Sequence, residues 1–96
     1  MGKCEKIQDR TLVLANGAVT LIQIFKVDDS RYPDGFSFTY RLMSAERKLL
    51  FAVENSHGRS HTHKGPRKEY SEFDWKQGLE MFSAEVREYK RRNNIS

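Results

Sequence analysis

One cysteine, Cys4, stands in a chain of 96 residues. A single thiol closes no internal disulfide and fits a reducing compartment, so a cytoplasmic location is expected. It also leaves no obvious set of four ligands for a closed zinc site. No apolar run approaches the roughly 20 residues that span a bilayer, so no membrane partner is expected. Met1-Gly2-Lys3-Cys4-Glu5-Lys6 lacks an apolar core of the secretory type, and no signal peptide is expected. Gly2 follows Met1, but Glu5 and Lys6 lead to no acylation pattern. Repeats, low-complexity tracts and linkers are missing too. The length suits one domain, residues 1–96, with a modest core.

What the chain does have is one wholly basic segment, His57-Gly58-Arg59-Ser60-His61-Thr62-His63-Lys64-Gly65-Pro66-Arg67-Lys68. It holds all three histidines and four cations, with no acid among them. The net charge of the whole chain is +4, so the remaining residues sum to zero. Imidazoles that exchange protons near neutral pH thus lie beside cations suited to phosphate. Together with a pI near 9.4, this points to an acidic partner, a nucleic acid or an acidic protein surface.

The polar–apolar pattern predicts an α+β domain. Thr11-Leu12-Val13-Leu14 reads as a strand, Asn16-Gly17 as a type I′ hairpin turn, and Val19–Val27 as the β-branched return. Asp28 to Gly35 is a loop of turn formers. From Phe36 to Ser44 the residues alternate, with Phe36, Phe38, Tyr40 and Leu42 on one face and Ser37, Thr39 and Arg41 on the other. Leu49–Glu54 is a fourth strand. Residues 55–70 read as a loop or ragged edge strand. Trp75, Leu79, Phe82, Val86 and Tyr89 then form one apolar stripe on a helix of about residues 74–92. Two capping boxes compete for its start, Asp74 with Gln77 and Ser71 with Asp74. The expected architecture is a four-stranded antiparallel meander, strands within about 11–54, with the helix packed on one face.

His61-Thr62-His63 directs both imidazoles the same way if the backbone is extended. Three readings follow. The first is acid–base cleavage of RNA, which needs a base for the 2′-hydroxyl, a cation for the phosphorane charge and an acid for the leaving oxygen. Here His61, His63, Arg59 and His57 are the candidate catalytic groups, and Arg41, Lys64, Arg67, Lys68 and Tyr70 the candidate substrate-binding ones. The second is a metal site built from Glu54, His57, His61 and His63, which four neighbouring cations would oppose. The third is a solvated loop without chemistry. Arg41 is equally a partner for Glu54, and Tyr70 equally a staple for the helix. Histidines on a loop should contribute little to stability, within roughly 0.5 kcal/mol. Trp75 and Phe82 are expected in the core, and so are Phe36 and Phe38.

The ordered frame Ala15-Asn16-Gly17, Phe25-Lys26-Val27, Tyr40-Arg41-Leu42, Glu54-Asn55, Gly58-Arg59, His61-Thr62-His63, Glu69-Tyr70 and Phe73 resembles the TumE-like toxins of prokaryotic toxin–antitoxin modules. The likeness runs over about residues 7–91. Glu54-Asn55 stands where that family has Asp-Asn. Ser60 stands where it has Gly-Asp, so an acid that could orient the first histidine is missing there. The resemblance implies a growth-inhibiting toxin acting on RNA and neutralised by a helix-turn-helix antitoxin, with no cofactor expected. A binding module without catalysis and a metal-dependent enzyme are the alternatives.

Overall fold

The computed structural model describes residues 4–95 and, of His57, the backbone alone. The domain is α+β, as expected, but its sheet has six antiparallel strands rather than four, in the order β1-β2-β3-β4-β5-β6. They are β1 Cys4–Val13, β2 Val19–Val27, β3 Phe36–Met43, β4 Leu49–Glu54, β5 His61–Lys64 and β6 Arg67–Tyr70, and helix α1 spans Trp75–Arg92. The first strand therefore begins before Thr11, and the basic stretch, which reads as a loop or ragged edge strand, contains a hairpin. That hairpin has no apolar alternation to reveal it. Its turn does the work instead: Gly65 takes φ +61° and precedes Pro66, the glycine-first order of a type II′ connection, and Lys64 faces Arg67 across it.

At Asn16-Gly17 only Gly17 takes a positive φ, +87°, so the turn is not type I′. Gly17 N–H donates to the Leu14 carbonyl (2.9 Å), and Leu14 N–H donates to the Ala18 carbonyl (2.7 Å). This is a three-residue loop with glycine in the left-handed position, which tolerates any L-residue before it.

Side chains alternate between the two sheet faces. Phe38 and Tyr40 of β3, Ile24 of β2, Val53 of β4 and Phe82 of α1 form the buried core on the helix side. α1 lies over β3 and β4. It approaches closest at Gly78, where a Cβ would stand 3.2 Å from both Phe38 and Val53. The Asp74 box caps the helix: Asp74 Oδ1 accepts from Gln77 N–H (2.8 Å) and Gln77 Oε1 accepts from Asp74 N–H (2.9 Å). Trp75 is only half-buried, tilted against Phe36 at 5.8 Å. It caps the rim of the core instead of filling it. Because α1 leaves the β1 edge uncovered, Leu12 on the helix side stays exposed; Val13, on the other face by register, is exposed too.

Where β4 leaves the sheet, Asn55 replaces the next strand residue. Its side-chain Oδ1 accepts from Phe38 N–H (2.8 Å), and its Nδ2 donates to the Phe36 carbonyl (2.8 Å). The ladder of β3 is thus completed by an amide while the backbone turns away. Just beyond, Gly58 takes φ +83°, and a Cβ there would stand 1.8 Å from the Arg31 carbonyl oxygen.

Two outcomes test this packing by thermal or denaturant unfolding. Phe82→Ala should cost about 3–5 kcal/mol, whereas Trp75→Ala should cost clearly less. Asn55→Ala should cost about 1–3 kcal/mol, because it strands a buried donor and a carbonyl of β3. Equal losses at Phe82 and Trp75, or an Asn55 variant as stable as the parent, would contradict the packing described.

Candidate functional site

The face of the sheet away from α1 carries most of the candidate groups. Register places Thr39 opposite Glu54, Glu54 opposite His61 and His61 opposite Tyr70. The adjacent row runs Arg41, Ala52, His63, Lys68. Cross-strand neighbours on one face stand close enough for side chains to meet. One patch therefore gathers Arg41, Glu54, His61, His63, Lys68 and Tyr70 from four strands.

Glu54 is its centre, and its side chain is nearly buried. Its Oε2 accepts from an Arg41 guanidinium nitrogen at 3.2 Å. Its Oε1 lies 3.2 Å from His61 Nε2 and 3.6 Å from His63 Nε2. Burial alone would raise the Glu54 pKa; Arg41 and then His61 outweigh it and lower the carboxyl below its ordinary value. Glu54, from the neighbouring strand, is the carboxylate that faces His61.

His61 is 3% exposed. Its Nδ1 lies 2.9 Å from the Arg59 carbonyl. A carbonyl only accepts, so Nδ1 carries a proton, and Nε2 is left facing the carboxylate. The ring is thus held at both nitrogens, and it packs at 5.3 Å from Tyr70. The expectation that this histidine is a loop residue of little structural weight is overturned, because it is an interior strand residue. His63 differs. Its side chain is 26% exposed, and its ring stands edge-on to His61 at 4.9 Å. Burial, then the neighbouring His61, Lys68 and Arg41 charges, lower its pKa, against an opposing pull from Glu54.

The four cations of the basic segment separate. Arg59 lies over the Tyr70 ring at 4.2 Å and Lys68 at 5.1 Å, so both edge the histidine face. Lys64 and Arg67 fall on the opposite side by register. There Lys64 pairs with Glu85 of α1 at 2.8 Å and Arg67 with Glu69 at 3.0 Å. They are not brought to the histidines. Arg41 is, as the partner of Glu54. Tyr70 sits among cations and does not staple the helix, which starts after Asp74. The His57 side chain, a candidate under two of the sequence readings, lies outside the described residues.

Sequence reasoning missed Asn55 and Ser60 as positioning residues. Asn55 fixes the end of β4 and so the height of Glu54. Ser60 Oγ bonds the Ser71 carbonyl and accepts from Phe73 N–H (3.3 Å), tying the start of β5 to the approach of α1. Asn55 stands in the motif frame without a role there, and no local pattern marks Ser60. A separate concavity lined by Tyr32, Asp34, Asn55, Ser60, Glu72 and Gln77 is rimmed by carboxylates, which does not suit a polyanion.

Compared with protein-family models, with curated proteins and with solved structures, the chain matches none. Among the described residues, no helix is long and apolar enough to cross a membrane.

The buried network makes a stability prediction. Glu54→Gln keeps the shape but leaves Arg41 and His61 facing a neutral amide. It should destabilise by about 1–3 kcal/mol in denaturant unfolding. A variant as stable as the parent would mean that the carboxylate does not hold the two partners.

Proposed function

We propose that this protein is a small ribonuclease toxin of a toxin–antitoxin module that works from the open sheet face, in the cytoplasm, without a cofactor. The carrying observation is His63, a partly exposed imidazole near Arg41 and Lys68, with Arg59 further along the same face over Tyr70, and backed by the buried Glu54–His61 pair. The resemblance of the motif frame to TumE-like toxins supports the same class.

In this reading His63 takes the 2′-hydroxyl proton of RNA. The 2′-oxygen attacks phosphorus, the bond to the 5′-oxygen breaks, and the imidazolium is the nearest acid to return the proton to that oxygen. Arg41, Arg59 and Lys68 meet the phosphorane charge. His61 is too enclosed to touch substrate, so it acts as a positioning residue that fixes Glu54 and His63. DNA, lacking the 2′-hydroxyl, would bind but not be cut. Neutralisation needs a partner that covers this face, and the resemblance points to a helix-turn-helix antitoxin. A binding module without catalysis is favoured less, because a cation patch alone has no need of a carboxylate buried beneath two imidazoles.

The test is RNA cleavage by purified protein in excess chelator, beside growth on expression. His63→Ala should lose about 10²–10⁴-fold in rate and relieve the growth defect while remaining folded. His61→Ala should lose rate and also stability, by about 1–3 kcal/mol, because it removes a partner of a buried carboxylate. A folded His63→Ala protein that still cuts RNA at the parental rate would refute the assignment. Absence of cleavage by the parent would leave binding as the function of the face.

A further inference from the structure

The same cluster has the geometry of a metal site. Oε1 of Glu54, Nε2 of His61 and Nε2 of His63 all lie within 4.8 Å of one another. Both imidazole nitrogens aim at one carboxylate oxygen, at 3.2 and 3.6 Å. Zinc bonds of about 2.0–2.2 Å, meeting at tetrahedral angles, put neighbouring ligand atoms roughly 3.3–3.6 Å apart. The two carboxylate–imidazole separations match that edge length, and the two imidazole nitrogens, within 4.8 Å of each other, need at most to close toward it.

The surroundings match as well. Metal-ligating histidines commonly donate their other ring N–H to a carbonyl or carboxylate. His61 does so, with Nδ1 on the Arg59 carbonyl at 2.9 Å, which leaves Nε2 as the ligand atom. Arg41 holds Oε2 of Glu54 and leaves Oε1 for one bond. Two imidazoles and one carboxylate select a zinc-class ion over magnesium or calcium, which prefer oxygen. The charge objection raised by the sequence weakens, since Lys64 and Arg67 are turned to the other face and paired there.

We propose that Glu54, His61 and His63 form a three-ligand site for Zn²⁺ or a like transition ion, with the fourth position open on the exposed side of His63. Bound there, the ion takes the lone pair that the preceding reading assigns to proton transfer. Ion and free base are then mutually exclusive, and zinc is an inhibitor of cleavage. That last consequence rests on the ribonuclease reading; the site itself does not.

The probe is the metal alone, added to the untagged full chain after chelator treatment. Calorimetry with Zn²⁺ should give one site, and Co²⁺ should give the intense visible bands of a four-coordinate ion. Paramagnetic Co²⁺ should shift the ring protons of both His61 and His63, a measurement on the parent protein that needs no variant. Mg²⁺ should do none of this. His63→Ala and Glu54→Gln, each checked for fold by circular dichroism, should weaken Zn²⁺ binding by at least about 10–100-fold, the loss typical even of outer-shell changes. Unshifted histidine protons, or binding unchanged in both variants, would overturn the site. If cleavage instead required zinc, the site would stand and the metal-free mechanism would fall.

Discussion

A carboxylate buried in a sheet needs positive or donating partners, and most of the arrangement described here follows from that need at Glu54. Removing an ionised carboxyl from water costs several kcal/mol unless charge and hydrogen bonds replace the lost hydration. The sheet supplies them from three directions. Arg41 comes from the strand on one side, His61 from the strand on the other, and His63 from two residues further along. Such an arrangement fixes register, because sliding β5 by one residue would turn both histidines to the helix side and leave Glu54 with Arg41 only. The β5–β6 hairpin, short and polar, has little apolar area to hold it. The buried network, the backbone ladder and the Lys64–Glu85 contact set its place.

The two faces divide the work. On the helix side, Phe38, Tyr40, Leu42 and Val53 bury against Phe82 and give the domain its stability. Tyr40 is aromatic core with a polar end: its phenol donates to the Trp75 carbonyl at 2.9 Å, and burial pushes its pKa up. On the open side, the strands present the polar partners of those same residues. Because β3 and β4 are pinned from below by α1, Arg41 and Glu54 stand on a rigid base. Ordering of this kind is what the proposed proton transfer would require, a geometry set before a substrate arrives.

Much of this was legible in the sequence where an apolar period exists. Val19–Val27, Leu49–Glu54 and the stripe from Trp75 to Tyr89 lie where alternation and helical spacing put them. Legibility ends where both faces are polar. His61 to Tyr70 shows no hydrophobic period, so a strand pair there reads as a loop. The turn chemistry of Gly65-Pro66 was the available sign. Read as a hairpin and paired with β4, that segment would have put His61 beside Glu54. Asn55 could not be foreseen in that way. Its role depends on the backbone of β3 nineteen and seventeen residues away. The extent of β1 was hidden for a related reason: Cys4 to Arg10 is an edge segment exposed on both faces, with little to bury.

The pair His61–Glu54 also carries a chemical demand of its own. With the Nδ1 proton committed to the Arg59 carbonyl, the Nε2 lone pair and a carboxylate lone pair would meet at 3.2 Å. Two lone pairs at that distance repel, so the point between them favours a donor or a cation. A proton satisfies one histidine at a time. A tetrahedral ion satisfies His61, His63 and Glu54 together, because both nitrogens converge on the same oxygen. The two occupants have opposite consequences for the exposed ring. Under the proposed cleavage, a proton between His61 and Glu54 would leave His63 free to accept another from substrate, with Arg41, Arg59 and Lys68 left for phosphate. An ion consumes that acceptor and turns the face into a closed site with a single open position. One arrangement of three side chains therefore supports proton transfer and metal capture by the same feature, the convergence of its acceptors on one point.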